Sequence, residues 1–441
     1  MVGALAAGAA VVAVADPSGA GRAVPAEGRA GVRRDTTGHG VRVVTEPMAD
    51  ARSVTLGVWV GVGSRDEAAP VAGASHFLEH LLFKGTDRRR AHEIAESVDA
   101  VGGEMNAFTA QEHTAYHVRL PAAELGPGVE LLADVCTAPA FRSDEVEAER
   151  QVILEEILQS EDEPDDRAHT LCAEALFPDH PLGREVLGSA ATIEAMSRHD
   201  IAAFFGHHYR PANLVVAAAG RLDHDAVMEA VEAGFAQAEP GCVPARHAPS
   251  RPPEPLAVVT RPTEQAHLAI GWRAVAHDDP DRYPLAVLNH VLGGGLSSRL
   301  FQEIRERRGL AYQVGSYTSL FSDAGALVAY AGTSPARLGE VKDLIEAEAE
   351  RMVADGVTDR ELQVAKGGLS GSMVLGLEDS GSRMARLGAS VVARDHVTPV
   401  DEHVAAIAAV TADDVARVAK QVLGAPSSVA AVGPVRESDL T

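Results

Sequence analysis

Glu239-Pro-Gly-Cys-Val-Pro-Ala-Arg-His-Ala-Pro-Ser-Arg-Pro-Pro-Glu-Pro255 crowds Pro240, Pro244, Pro249, Pro252, Pro253 and Pro255 into one stretch. Proline fixes φ and lacks an amide donor, so such a run forms neither a helix nor a central strand. It reads as a linker, and it cuts a chain of 441 residues near its middle. Two domains of about 200 residues are what that length predicts.

Working outward from the linker, the same order of elements stands on both sides, as an internal repeat requires. An extended stretch, Val54 to Val62, is answered by Leu268 to Trp272. Helix-like segments follow, at Gly73 to Phe83 and at Tyr283 to Leu292. Glycine-containing extended pairs come next, at Gly103 to Leu120 and Tyr312 to Gly332. Each half then has a Glu-rich helix, at Ser143 to Gln159 and at Ser334 to Ala354. Both close on helix, turn and a small-residue strand, Leu214 to Gly220 and Ser428 to Gly433. Strands that do not alternate with single helices predict α+β domains, each a mostly antiparallel sheet covered by helices on one face. The expected plan is a flexible leader (1–37), a first domain (38–238), the linker (239–255) and a homologous second domain (256–436).

A hydrophobic fraction of 46% fits a globular protein, and a net charge of -24 argues against a nucleic-acid partner. Cys136, Cys172 and Cys242 are too scattered for a disulfide framework or a thiolate metal site. The apolar stretch from Val2 to Ala15 is too short to span a bilayer, and no Lys or Arg precedes it. The expectation is therefore a cytoplasmic protein without a membrane partner, an unorthodox export signal being the alternative.

His76-Phe77-Leu78-Glu79-His80 carries the chemistry. On a helix, two histidines four residues apart share a face, which suits two ligands of one ion. Glu79 lies close enough to reach a water on that ion. Phe77, Leu78, Leu81, Leu82 and Phe83 make the helix apolar nearly all round, with Lys84-Gly85 as its stop. The plain alternative is an ordinary hydrogen-bonded cluster. A second helix, with Ser143 expected as its cap, weighs against that. There Val146, Glu149, Ile153 and Glu156 follow steps of three and four, placing two carboxylates on an apolar stripe. Buried carboxylates call for a cation or a ligating histidine. Glu155 competes but falls on the more polar side.

These residues resemble the M16 peptidases, the inverzincin family that includes mitochondrial processing peptidase, insulysin and pitrilysin. The likeness rests on His76-Phe-Leu-Glu-His80-Leu-Leu-Phe-Lys-Gly-Thr86, Gly102-Gly-Glu-Met-Asn-Ala-Phe-Thr109 and Glu149-Arg-Gln-Val-Ile-Leu-Glu-Glu156. It implies the short two-domain type, with the processing-peptidase and LuxS-like metallohydrolase fold. It also implies one zinc ion per chain on His76, His80 and Glu156, with Glu79 as general base and Glu149 orienting a ligand histidine. Asn106 and Ala107 would lie on an edge to which a peptide substrate adds as a strand, although Asn106 by itself reads as a turn residue. Arg305 and Tyr312, seven positions apart in the second half, would hold the substrate main chain and the oxyanion.

Short members of the family enclose a chamber between two chains, so Arg305 and Tyr312 would come from the partner. A homodimer is the expectation, and a heterodimer with an inactive homologue the alternative. The second half has no His-x-x-Glu-His and predicts no second zinc. Its Gly293-Gly-Gly-Leu-Ser-Ser-Arg-Leu-Phe301 lacks the lysine of a phosphate loop and reads as turn and packing glycines. Zinc endopeptidase is the resulting function. A silent structural or peptide-binding subunit, or an enzyme dedicated to one precursor peptide, are its rivals.

Overall fold

The computed structural model describes residues 31–236 and 241–440. The leader up to residue 30 and the first two linker residues therefore lie outside the described residues. The first sheet holds β1 (Arg33–Thr36), β2 (Arg42–Pro47), β3 (Ser53–Val60), β4 (Glu104–Thr109), β5 (Thr114–Pro121) and β6 (Leu214–Gly220), in the order β1-β2-β6-β3-β5-β4. The second holds β7 (Leu256–Thr260), β8 (Ala266–Ala274), β9 (Ala311–Leu320), β10 (Gly325–Thr333) and β11 (Ser427–Gly433), in the order β7-β11-β8-β10-β9.

The repeat is visible in the topology. Strands β2-β6-β3-β5-β4 correspond one for one to β7-β11-β8-β10-β9. In each set the entering strand runs parallel to the closing one, β2 to β6 and β7 to β11, and the other pairings are antiparallel. The fold is two-domain α+β, as expected.

Two expectations are corrected. The leader does not run to residue 37, because Arg33–Thr36 already pairs with β2 as an edge strand. Nor are the sheets covered on one face only. Strands β6 and β10 are buried at every position and β3 at all but its first, which a one-sided sheet does not allow.

The second cover comes from the other half of the chain. Helix Ser380–Arg394 lays Met384, Leu387 and Val391 on Val44, Trp59, Ala115, Val215, Ala217 and Ala219 of the first sheet. Helix Pro164–Leu176 returns the exchange, setting Ala168, Leu171, Cys172 and Leu176 on Ala269, Ala326, Val328, Ala430 and Val432. Small side chains on these outer faces let the helices sit close. A Cβ on Gly388 would stand 2.1 Å from Trp59 Nε1, and one on Gly271 2.6 Å from Leu176 Cδ1.

Charged groups lock the seam between the halves. The almost fully buried Arg65 reaches Glu112 at 2.6 Å in the β4–β5 turn and Asp323 at 2.7 Å in the β9–β10 turn. Arg246, inside the linker, is held by Asp66 at 2.7 Å and by the carbonyl of Glu112. Residues 241–255 contain no helix or strand, yet they are pinned across the seam. No helix among the described residues is long and apolar enough to cross a membrane.

Candidate active site

Helix Ala74–Leu82 carries His76, Glu79 and His80. Phe77, Leu78, Leu81 and Leu82 anchor it in the first core. It starts at Gly73, whose φ of 95° is left-handed and where a Cβ would meet the Leu187 carbonyl oxygen at 2.6 Å. No side chain of the helix's own caps it. Instead the carboxylate of Glu67 accepts from the amides of Gly73 and Ser75, both at 2.7 Å, satisfying orphan donors of the first turn. Burial drives the Glu67 carboxyl up to about 7, against the pull of those two amides.

The second helix spans Ser143–Asp162. Ser143 is not its cap: it is the first helical residue, and Arg142 stands before it without a side-chain cap bond. Arg142 donates instead to the Thr86 carbonyl at 2.7 Å, tying the helix to the segment after the histidines. Val146, Glu149, Ile153 and Ile157 are buried, Glu156 is half-buried and Glu155 points outward. Glu149 and Glu156 therefore face the histidine helix together.

Three side chains converge. Glu156 Oε2 lies 3.6 Å from His76 Nε2 and 3.4 Å from His80 Nε2, and the ligating atoms of all three fall within 4.8 Å. That oxygen is buried and has no hydrogen-bond partner, nor has the buried Nδ1 of His76. Two donors each about 2.0–2.1 Å from a tetrahedral ion stand roughly 3.4 Å apart. The two separations from Glu156 are close to that, and an orphaned oxygen facing two imidazole nitrogens is what a divalent cation would satisfy.

Around this core the orientation is fixed. Glu149 Oε2 meets His80 Nδ1 at 3.0 Å, so a proton on Nδ1 leaves Nε2 free as a ligand. Lys84 Nζ holds the other Glu149 oxygen at 2.6 Å. Burial resists protonation of His80, but Glu149 and Glu156 outweigh it and raise it to about 9. His76 goes the other way, lowered to about 4 by burial and by the charge on His80. Glu79 is raised, again by burial, while the Thr109 hydroxyl donates to its Oε2 at 2.7 Å and pulls it partly back. A carboxylate with raised basicity beside a cation site can take a proton from water.

Thr109 ends β4, one of the two edge strands of the first sheet. Asn106 and Ala107 lie within that strand, paired with His117 and Tyr116, so Asn106 is a strand residue and not a turn. The Ala107 amide bonds to the side chain of Asn106 at 2.9 Å and not to β5. It faces the free edge.

Arg305 and Tyr312 lie in the second half. The Arg305 guanidinium stacks 4.8 Å from the rings of both Phe301 and Tyr312, and Tyr312 is 79% exposed. Among the described residues, no hydrogen bond, ion pair or ring contact joins either one to the His76–His80–Glu156 cluster.

Sequence reading missed three supporting residues. Lys84 reads in the sequence only as part of the helix stop, and it lies two residues beyond Leu82 in the turn that closes the helix. Thr109 was quoted but given no role. Glu67 left no signal, because it acts on backbone amides.

Two family models match the chain. The model described as insulinase, peptidase family M16, matches residues 42–190, and that of the peptidase M16 inactive domain matches residues 195–369. An uncharacterized zinc protease of Streptomyces coelicolor is 44% identical over 92% of this chain and 90% of its own length. The chain belongs to peptidase family M16. An uncharacterized zinc protease of Bacillus subtilis is 36% identical over 91% of the chain and 98% of its own. Among solved structures, a protease from Helicobacter pylori superposes with a TM-score of 0.85 at 24% identity, covering 92% of this chain and 99% of the other. At that identity the likeness speaks for the fold. The whole zinc-type cluster lies within the insulinase match, and the inactive-domain match includes Arg305 and Tyr312.

Proposed function

We propose that this M16 chain is a zinc-dependent endopeptidase that cleaves peptides or unfolded segments bound as an added β-strand. The observation that carries it is the buried, unpartnered Glu156 oxygen facing the Nε2 atoms of His76 and His80, with Glu79 alongside. His76, His80 and Glu156 would hold one zinc, whose chemistry is to acidify water and polarise a carbonyl. The names of the zinc-protease relatives support that metal. Glu79 takes the proton of the attacking water and delivers it to the leaving amine. Thr109 orients Glu79, while Glu149, steadied by Lys84, fixes the His80 ring.

The edge of β4 supplies substrate binding. A peptide main chain would take the Ala107 amide from the Asn106 side chain and continue the sheet, a mode that tolerates varied side chains. Arg305 and Tyr312 act from a second copy: a homodimer would let the exposed Tyr312 of each chain face the cluster of the other, to hold the substrate and its oxyanion.

The test is cleavage of quenched fluorescent peptides of roughly 10 to 30 residues by purified protein, beside Glu79→Gln and with a chelator. Bound zinc is measured in both proteins. The expected result is about one zinc per chain in each and cleavage in the unmodified protein alone, with a loss of at least about 10²-fold on substitution. Failure to take up zinc on reconstitution would refute the mechanism and favour a silent subunit.

A further inference from the structure

A cavity of about 280 Å³ lies where helix Pro164–Leu176 covers the second sheet, and its lining contains none of the zinc-type cluster. Its floor is apolar. Leu176, Phe177, Leu182, Phe321 and Val328 are all buried there, and the rings of Phe177 and Phe321 meet edge to face at 6.1 Å. Over that floor stand a few polar groups, among them Gln111, Arg184 and Glu185. An apolar pocket with a few convergent polar groups is the usual form of a small-molecule site. An apolar cavity of about 150 Å³ already holds benzene, so this one has room for a ring with a short tail.

Arg184 is the group that the fold leaves unanswered. On the same seam Arg65 meets Glu112 and Asp323, and Arg246 meets Asp66. Among the described residues Arg184 forms no ion pair, and its Nε is buried without a hydrogen-bond partner. It donates from an Nη atom to the main-chain carbonyl of Glu67 at 2.7 Å. The Glu67 carboxylate itself is spent on the amides of Gly73 and Ser75. Glu185, next in the chain, does not answer it either. Its two oxygens take the Thr170 hydroxyl at 2.5 Å and the Val186 amide at 2.9 Å. Burial presses the Arg184 pKa down, against the pull of Glu67. A partly desolvated guanidinium is unfavourable until an anion joins it, and its fork suits a carboxylate.

The surroundings choose among anions. Glu185 in the same wall repels a second negative charge, so a monoanion fits and a polyanion does not. The two rings of the floor favour an aromatic body, which gains from edge-to-face or offset contact with them. Gln111 adds an amide donor to the same wall.

We propose that this cavity binds a small aromatic carboxylate, its ring on Phe177 and Phe321 and its carboxylate on the Arg184 guanidinium. Two sources carry that chemistry, a free arylalkanoic acid and the C-terminal aromatic residue of a peptide. Arg184 holds the Glu67 main chain, and the Glu67 carboxylate closes the first turn of the histidine helix. An anion on Arg184 would therefore connect to the head of that helix through Glu67. The inference does not depend on the peptidase reading.

The experiment titrates 3-phenylpropionate into the full-length protein by calorimetry and thermal unfolding. Propionate and 3-phenylpropionamide, which keep only the charge or only the ring, are run beside it. So is the tripeptide Gly-Gly-Phe, with a free and with an amidated C-terminus. We expect saturable binding of 3-phenylpropionate, a raised Tm, and affinity at least tenfold weaker for propionate and for the amide. Arg184→Gln should weaken binding at least tenfold, with Arg184→Lys between it and the parent. Ala173→Phe, which fills the cavity from helix 164–176 and leaves Arg184 in place, should abolish binding. Free-ended Gly-Gly-Phe binding more tightly than 3-phenylpropionate would assign the cavity to peptide ends, and equal or weaker binding to free acids. No saturable binding, equal binding of 3-phenylpropionamide, or binding unchanged by Arg184→Gln and Ala173→Phe overturns the proposal.

Discussion

Glu67 shows how a residue far from the chemistry can govern it. Its carboxylate closes the first turn of the histidine helix through two amide bonds, while burial raises its pKa from 4.5 to about 7. A raised pKa in the folded state means that the native protein binds the extra proton between about pH 4.5 and 7. This group's contribution to stability is therefore greatest below that window and falls as pH rises through it. The change is roughly 3 kcal/mol, at about 1.4 kcal/mol per pH unit. Glu67→Gln should flatten that part of the stability-pH curve in denaturant titrations, while lowering stability overall because one amide loses its acceptor. An unchanged slope would mean that Glu67 titrates near its ordinary value. Lys84 is a second such residue. Lys84→Met leaves Glu149 without its 2.6 Å ion pair and should weaken zinc binding about 10–100-fold in a chelator competition. Unaltered affinity would show that Glu149 holds His80 unaided.

At the scale of elements, the exchanged helices decide how the sheets are covered. Helix 380–394 approaches β3 so closely that Gly388 has no room for a side chain over Trp59. Gly388→Val should cost about 1–3 kcal/mol by overpacking and lower the midpoint of thermal unfolding. It leaves the histidine and carboxylate helices untouched, so zinc should stay near one per chain in the folded fraction. A midpoint equal to the parent's would show that the helix can shift outward at no cost. Strand β4 offers the complementary case. Its free edge and the Ala107 amide are exposed by the strand order, which places β4 last in the sheet.

For the whole molecule, reciprocal covering makes the halves interdependent. Residues 31–240 alone would leave Val44, Trp59, Val215 and their neighbours without helix 380–394, while helix 164–176 would lose the second sheet. That fragment should bind a hydrophobic dye and unfold without a sharp transition, whereas the full chain should unfold in one step. A cooperative, dye-silent fragment would show that the exchange is decorative.

The sequence by itself determined a good deal. Proline crowding located the linker, and the repeated order of segments foretold the matching of β2-β6-β3-β5-β4 with β7-β11-β8-β10-β9. Helical spacing brought His76 and His80 to one face and set Glu149 and Glu156 on an apolar stripe. Such features are legible because local geometry fixes them: a period of 3.6 or 2 converts spacing into a shared face. Other features were decided by tertiary structure alone. Small, alanine-rich strands such as β6 look the same whether one face or both are covered, so nothing local announces that helix 380–394 crosses over. Glu67 caps a helix through backbone amides, which carry no residue identity. Trp59 and Gly388 lie more than three hundred positions apart, and only the packing of one half against the other brings them into contact.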